Sequence, residues 1–139
     1  MKALMGAFVA FHAWIYRVSG GRFMGKMGRA PVLLLTTRGR KSGQRRTVPL
    51  LYLKDSENFV IVASLGGAPR HPAWYLNLEA NPTVELQVAD QRFSANARRA
   101  SAEEKARLWP RLVAIYPPYE DYRKRTTRDI PVVIVTRVS

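Results

Sequence analysis

The chain has 139 residues, 47% of them hydrophobic, no cysteine, and a formal net charge of +13. That length and apolar content fit one compact domain over residues 1–139, and the missing cysteines exclude disulfides, thiolate metal sites and a cysteine nucleophile while fitting a reducing cytosol. The two histidines, His12 and His71, show no ligand spacing, so no metal site is expected.

The charge is one-sided. From Met1 to Lys54 there are eleven Lys and Arg and no acid; the remaining residues carry twelve bases against all ten acids, a net of +2. Such a field attracts an anionic partner, whether nucleic acid, an acidic membrane surface or a polyanionic small molecule, and composition leaves that choice open.

Taken in chain order, Ala3 to Tyr16 is apolar apart from His12, with Leu4, Phe8, Phe11 and Ile15 on one helical face. It reads as a helix over the first 17 residues, too short at about 14 apolar-patterned positions for a bilayer that needs ~20. Two readings stay open. Either the helix covers the end of a sheet, or it lies in a membrane interface with Trp14 and Tyr16 at headgroup level. In the second reading Lys2, Arg17, Arg22 and Lys26 face anionic lipid, giving a peripheral contact through residues 1–26.

After Gly20-Gly21 the pattern turns to strands. The spacing predicts Val32 to Thr37, Thr47 to Leu53, Phe59 to Ser64, Thr83 to Val88, Gln91 to Arg99 and Pro131 to Arg137. Tight connections at residues 54–58 and 89–90 make neighbours antiparallel. In the fourth strand Val84, Leu86 and Val88 are expected inward and Thr83, Glu85 and Gln87 outward, whereas Phe59 to Ala63 reads as buried on both faces. Six such strands predict a mainly β (α+β) fold, a barrel with helices added.

Between the first two strands lies Thr36-Thr37-Arg38-Gly39-Arg40-Lys41-Ser42-Gly43-Gln44-Arg45-Arg46-Thr47. Five cations, four hydroxyls and two glycines among these residues suit a loop that holds a multiply charged anion. After the third strand, Ser64-Leu65-Gly66-Gly67-Ala68-Pro69-Arg70-His71 leads into a helix that starts near Pro72 and stops at Asn81-Pro82. Its glycines can serve a ligand or an ordinary turn. A second helix opens with Ser101-Ala102-Glu103-Glu104, the spacing of a capping box, and Pro110 is expected to kink it. It ends in Tyr116, Tyr119 and Tyr122, three phenols spaced to share one helical face. They read either as a core stripe or as the wall of a pocket for a flat, amphipathic substrate.

No serine, histidine and aspartate spacing for acyl transfer, Walker loop, dinucleotide fingerprint or apolar carboxylate pair is present. An enzyme built on this chain would rely on a bound cofactor for its chemistry.

Residues 36–43, Arg46, Pro49-Leu50, Ser64 with Gly66-Gly67-Ala68, Pro72, Trp74-Tyr75, Asn77-Leu78, Tyr116-Pro117 with Tyr119 and Tyr122, and Ile130-Pro131 together form an ordered set of motifs. From about residue 12 to the C-terminus the chain resembles the deazaflavin-dependent nitroreductase family, whose members use coenzyme F420. The resemblance implies a split β-barrel and an F420H2-dependent oxidoreductase. It implies that Arg40, Lys41, Ser42 and Arg46 hold the phosphate and oligoglutamate tail, with Thr47, Val48, Pro49, Leu50 and Leu51 lining the groove. It further implies that Val62, Ala63, Ser64 and Leu65, with Ala73, Trp74, Tyr75, Leu76 and Asn77, seat the ring, and that Tyr119 closes over it. Leu65 stands where relatives often carry lysine, and Leu51 where some carry an aromatic residue. Tyr116, Tyr119 and Tyr122 would form the acceptor pocket, and Ser64 would polarise the system. The implied acceptors are quinones of the menaquinone type or nitroaromatic compounds. Alternatives are an FMN-dependent oxidoreductase on the same barrel, a non-catalytic F420 carrier and, furthest, a basic nucleic-acid-binding barrel. The last ranks low because the cations gather at one loop and one helix, without aromatics through a strand face.

Overall fold

The computed structural model describes residues 26–27 and 30–138. The helix expected over Ala3 to Tyr16, with Lys2, Trp14, Arg17 and Arg22, lies outside them. In chain order the strands are β1 (Lys26–Met27), β2 (Ala30–Arg38), β3 (Arg45–Leu51), β4 (Leu53–Asp55), β5 (Asn58–Val62), β6 (Thr83–Val88), β7 (Gln91–Arg99) and β8 (Val132–Arg137). Helix α1 (Ala73–Ala80) lies between β5 and β6, and α2 (Ala102–Ile115) and α3 (Pro118–Arg125) lie between β7 and β8.

All the pairings are antiparallel. The path runs β2-β6-β7-β8-β5-β4, and it returns to β2 through β3. The strand expected over Thr47 to Leu53 is split at Tyr52 into β3 and β4. The first part pairs with β2, and after Tyr52 the chain crosses to β5. The Tyr52 amide still bonds the Pro31 carbonyl at 3.0 Å. This bend carries one continuous segment from the β2 side of the sheet to its β5 side, so the sheet curls into a split barrel.

The period-2 alternation of the strands fills the barrel. Leu33, Leu35, Phe59, Ile61, Val84, Leu86, Ala95, Val133 and Val135 share one core, which α1 plugs with Trp74, Tyr75 and Leu78. The other face of β5 and β8 is covered by Leu108 and Leu112 of α2, packed on Val60, Val62, Val132 and Ile134. Two covers explain why Phe59 to Ala63 is buried throughout. The expected exposure along β6 fails at one place: Gln87 is 6% exposed, and its side-chain amide donates to the Ala89 carbonyl at 3.0 Å. Gln87 still points outward, opposite Leu34, and a local partner at the hairpin turn satisfies its amide where the outer face is covered.

Helix α2 begins as its sequence predicts. Ser101 Oγ accepts from the Glu104 amide at 3.2 Å while Glu104 Oε1 accepts from the Ser101 amide at 2.9 Å. The helix continues through Pro110 to Ile115. Arg107 and Arg111 then tie it to Asp55 of β4, at 3.1 and 2.8 Å.

Candidate active site

The basic hairpin between β2 and β3 is closed by its own backbone. The Gly39 amide donates to the Gln44 carbonyl at 2.7 Å and the Gly43 amide to the Gly39 carbonyl at 2.8 Å. Gly43 has φ +72°, a left-handed conformation that favours glycine. Ser42 Oγ accepts from the Gln44 amide at 3.2 Å, so this expected phosphate ligand also shapes the loop. The cations divide into two groups. Arg45 pairs with Glu85, and Arg38 reaches the Gly43 carbonyl. Lys41 and Arg46 are exposed, and among the described residues no carboxylate pairs with either.

Arg40 is held differently. Its amide and its guanidinium both donate to Asn77 Oδ1, at 3.1 Å each, and Asn77 Nδ2 donates to Thr37 Oγ1 at 3.2 Å. Asn77 is 4% exposed and sits on α1, so one buried amide fastens the hairpin to the helix that plugs the barrel. Arg46 stands opposite Thr37 in the β2-β3 register, beside this junction. Along β3, Val48 and Leu50 pack inward against the barrel core, whereas Leu51 packs outward with Val32 and Leu34. Residues Thr47 to Leu51, Pro49 included, are all only half-buried. Thr47, whose hydroxyl lies 2.8 Å from that of Thr36, also lines an outer cavity of about 410 Å³ with Arg45, Glu85 and Arg92. Another cavity, of about 500 Å³, opens at Tyr52, Phe59 and Phe93 and takes in none of the expected site residues.

The segment from Val62 to His71 joins β5 to α1. Val62, Ala63 and Ser64 are buried, while Leu65 is 42% exposed with φ +46°. Gly66 is open: a Cβ there would meet nothing within 4 Å. Gly67 is the reverse, because a Cβ would lie 2.8 Å from the Tyr122 carbonyl oxygen. One glycine therefore lets α3 approach the turn, and the other leaves space beside it.

A residue that the sequence reading passed over organises this segment. Arg128 donates from Nε to the Ala68 carbonyl at 2.8 Å, and from its terminal nitrogens to the Ala63 carbonyl at 3.2 Å and the Ser64 carbonyl at 2.7 Å. It also lies 2.9 Å from His71 Nδ1. Burial, with the Arg128 charge beside it, holds the His71 pKa below the ordinary imidazole value, so Nδ1 accepts and the ring is neutral.

The phenols are gathered at the α2-α3 junction. Tyr116 and Tyr119 meet edge to face with centroids 4.9 Å apart, and the Tyr116 and Tyr122 hydroxyls are 3.4 Å apart. Tyr119 is 5% exposed, between Trp109 and its two neighbours, and burial drives its pKa well up. The Tyr116 phenol is also raised, first by its hydrogen bond with Tyr122 and then by burial. Tyr116 and Tyr122 are half-buried and form the accessible rim of the cluster.

The structure thus joins the basic hairpin to α1 through Asn77, and joins the Ser64 turn to the phenol helix through Gly67 and Arg128. It turns Trp74 and Tyr75 into the barrel core, where the Tyr75 ring packs against His71. Among the described residues the Tyr75 hydroxyl makes no hydrogen bond of normal geometry, although Arg99 and Glu79 lie near enough to act on it electrostatically. Ala73 is exposed and Leu76 half-buried.

Fold and site together define a small basic split β-barrel, with a cation-rich hairpin fastened to the helix plug and a cluster of phenols on the helix packed against the Ser64 turn. The chain belongs to the F420H(2)-dependent quinone reductase family, whose pattern it matches over residues 9–137. It is 44% identical over 130 residues to the F420H(2)-dependent quinone reductase Rv1261c of Mycobacterium tuberculosis, covering 91% of this chain and 87% of that one. The solved structure of an F420-H2 dependent reductase is similar at 45% identity with a TM-score of 0.70, over 76% of this chain and 93% of the other. The heme storage protein HutZ of Vibrio cholerae, at 14% identity and a TM-score of 0.58, shares the fold over 78% of this chain and 82% of its own.

Proposed function

We propose that this protein is an F420H2-dependent quinone reductase, transferring a hydride from the reduced deazaflavin to a quinone. The observation that carries the reading is the placement of Lys41 and Arg46. Both are exposed cations with no carboxylate partner among the described residues, on a hairpin that Asn77 fixes to the helix leading back to the Ser64 turn. A cofactor with a phosphate and a glutamate tail needs such donors, and its flat ring needs an open backbone surface such as that at Gly66. The residues present fit the group.

When bound, reduced F420 supplies a hydride. Lys41, Arg46 and the Arg40 guanidinium would hold its anionic end, and Ser64, Leu65 and Gly66 would border its ring. The protein's contribution is alignment, since a fixed donor and acceptor avoid most of the entropy of encounter. Reducing a quinone to a hydroquinone takes a proton as well as a hydride. Tyr116, kept neutral by its raised pKa, can give that proton and recover it from solvent across its exposed edge. Tyr119, deeper and more strongly shifted, would shape the pocket. A nitroaromatic acceptor would use the same phenolic surface.

No helix among the described residues is long and apolar enough to cross a membrane. A peripheral contact through residues 1–26 would hold the protein at the surface of a membrane in which a quinone is dissolved. The test is spectroscopic: oxidation of F420H2 is followed with a menaquinone, a benzoquinone and a nitroimidazole in turn. Turnover with the quinones supports the reading, and F420 binding without any turnover would make the protein a carrier instead.

A further inference from the structure

Arg128 lies between α3 and β8, and among the described residues no carboxylate pairs with it. A guanidinium has five N–H donors, and here five contacts answer them: Ala68 O, Ala63 O twice, Ser64 O and His71 Nδ1. A partly buried cation without a counter-ion is costly to place, so a site that satisfies every donor with loop carbonyls is built to hold that loop. The carbonyls come from both sides of Ser64 and from beyond the two glycines. The same turn touches α3 at Gly67, against the Tyr122 backbone.

We propose that Arg128 is a positioning residue for hydride transfer: by clamping the Ala63, Ser64 and Ala68 carbonyls it fixes the Ser64 turn, which would border the donor ring, in its place against the phenol helix that would carry the acceptor. It touches neither reactant. The assignment rests on the F420H2-dependent reading above. His71 is the second half of the clamp, since its Nδ1 accepts only while the ring is neutral. The charged and titratable groups facing His71 are Arg128, Arg99, Glu79, Asp129 and Tyr75.

The experiment compares the full chain with Arg128→Ala and Arg128→Lys. Each protein is titrated with F420, assayed with saturating F420H2 and a benzoquinone, and followed by NMR for the His71 titration without cofactor. The expected result for Arg128→Ala is a kcat lower on the order of 10²-fold, the scale of an ångström-sized misplacement, with a much smaller change in F420 affinity. Added guanidinium should restore part of kcat, and His71 should titrate at higher pH once the neighbouring cation is gone. Arg128→Lys keeps the charge but loses the fork, so it should fold and remain slow. Parental kcat in either variant overturns the proposal. So does a loss that guanidinium does not relieve and that follows the folded fraction alone. A parent protein that binds F420 but turns over no acceptor removes the functional reading, and the positioning role with it. The His71 shift would then still show whether the clamp exists as a structural device.

Discussion

The backbone amide and the guanidinium of Arg40 both donate to the side-chain oxygen of Asn77, thirty-seven positions along the chain. This contact turns a mobile kind of element, a glycine-containing basic hairpin, into a wall fixed on the barrel plug. It also separates Arg40, which is partly committed to the protein, from Lys41 and Arg46, which are not.

Replacing Asn77 tests that division of labour. Asn77→Ala leaves the Arg40 amide and the Thr37 hydroxyl without partners and should cost about 1–3 kcal/mol in urea unfolding, with weaker F420 binding. Asn77→Asp should recover most of the stability, because a carboxylate accepts strongly from the guanidinium, yet leave F420 binding weak by neutralising that cation. An Asp variant with parental affinity would show that Arg40 takes no part in holding the anion.

The phenol cluster predicts a pH profile. Because the hydrogen bond with Tyr122 and burial hold the Tyr116 pKa above the ordinary phenol value, its phenol keeps its proton through neutral and moderately alkaline pH, and quinone reduction should decline only above the usual phenol range. Tyr116→Phe should lower kcat on the order of 10²-fold, the low end for a positioned general acid, while leaving F420 affinity nearly intact. An unchanged kcat would assign the proton to water.

Leu65 holds a left-handed backbone at φ +46° with its side chain 42% exposed. That conformation costs an ordinary residue roughly 1–2 kcal/mol, against about 0.4–1 kcal/mol for the extra unfolded-state freedom of glycine. Leu65→Gly should therefore raise stability by up to about 1 kcal/mol, or about 2–4 °C in Tm. A lower Tm would mean that the leucine side chain makes contacts outweighing its backbone strain.

Acid stability follows from the carboxylates that tie α2 to the barrel. Hydrogen bonds from Arg107 and then Arg111 hold the Asp55 carboxyl below its ordinary value, and Lys105 and Arg99 do the same for Asp129. Arg98 lowers Glu104 to about 2. A folded-state pKa below the unfolded one adds stability above about pH 4, and this is lost as pH falls toward 2. Asp55→Asn should thus lower Tm only slightly at pH 7, the arginines being so exposed, and the difference should shrink as pH falls below the ordinary carboxylate range.

Much of this was legible in the chain because it depends on neighbours. The alternation in Thr83 to Val88, the capping box at Ser101 and Glu104, and the phenol spacing each reside within one short segment. The exceptions are long-range. Arg128 stands in Thr126-Thr127-Arg128-Asp129, which reads as a solvated turn, and its acceptors lie 57 to 65 positions earlier. The break at Tyr52 follows from barrel closure, which no local pattern specifies. Gly67 serves the approach of α3, whereas sequence alone left it open between turn and ligand. Asn77, expected at the ring, also bonds Arg40 and Thr37 through its buried amide, a tie between distant segments that no local pattern announces.

The central claim, that the hairpin cations clamp the acidic end of F420, is tested most directly by fluorescence titration of the parent and Arg46→Ala with F420 at low and moderate salt. The account predicts saturable binding by the parent, weaker at higher salt, and a loss on the order of tenfold in Arg46→Ala with kcat at saturating F420H2 nearly unchanged. Equal affinities for the two proteins, or no saturable binding by the parent, would contradict it.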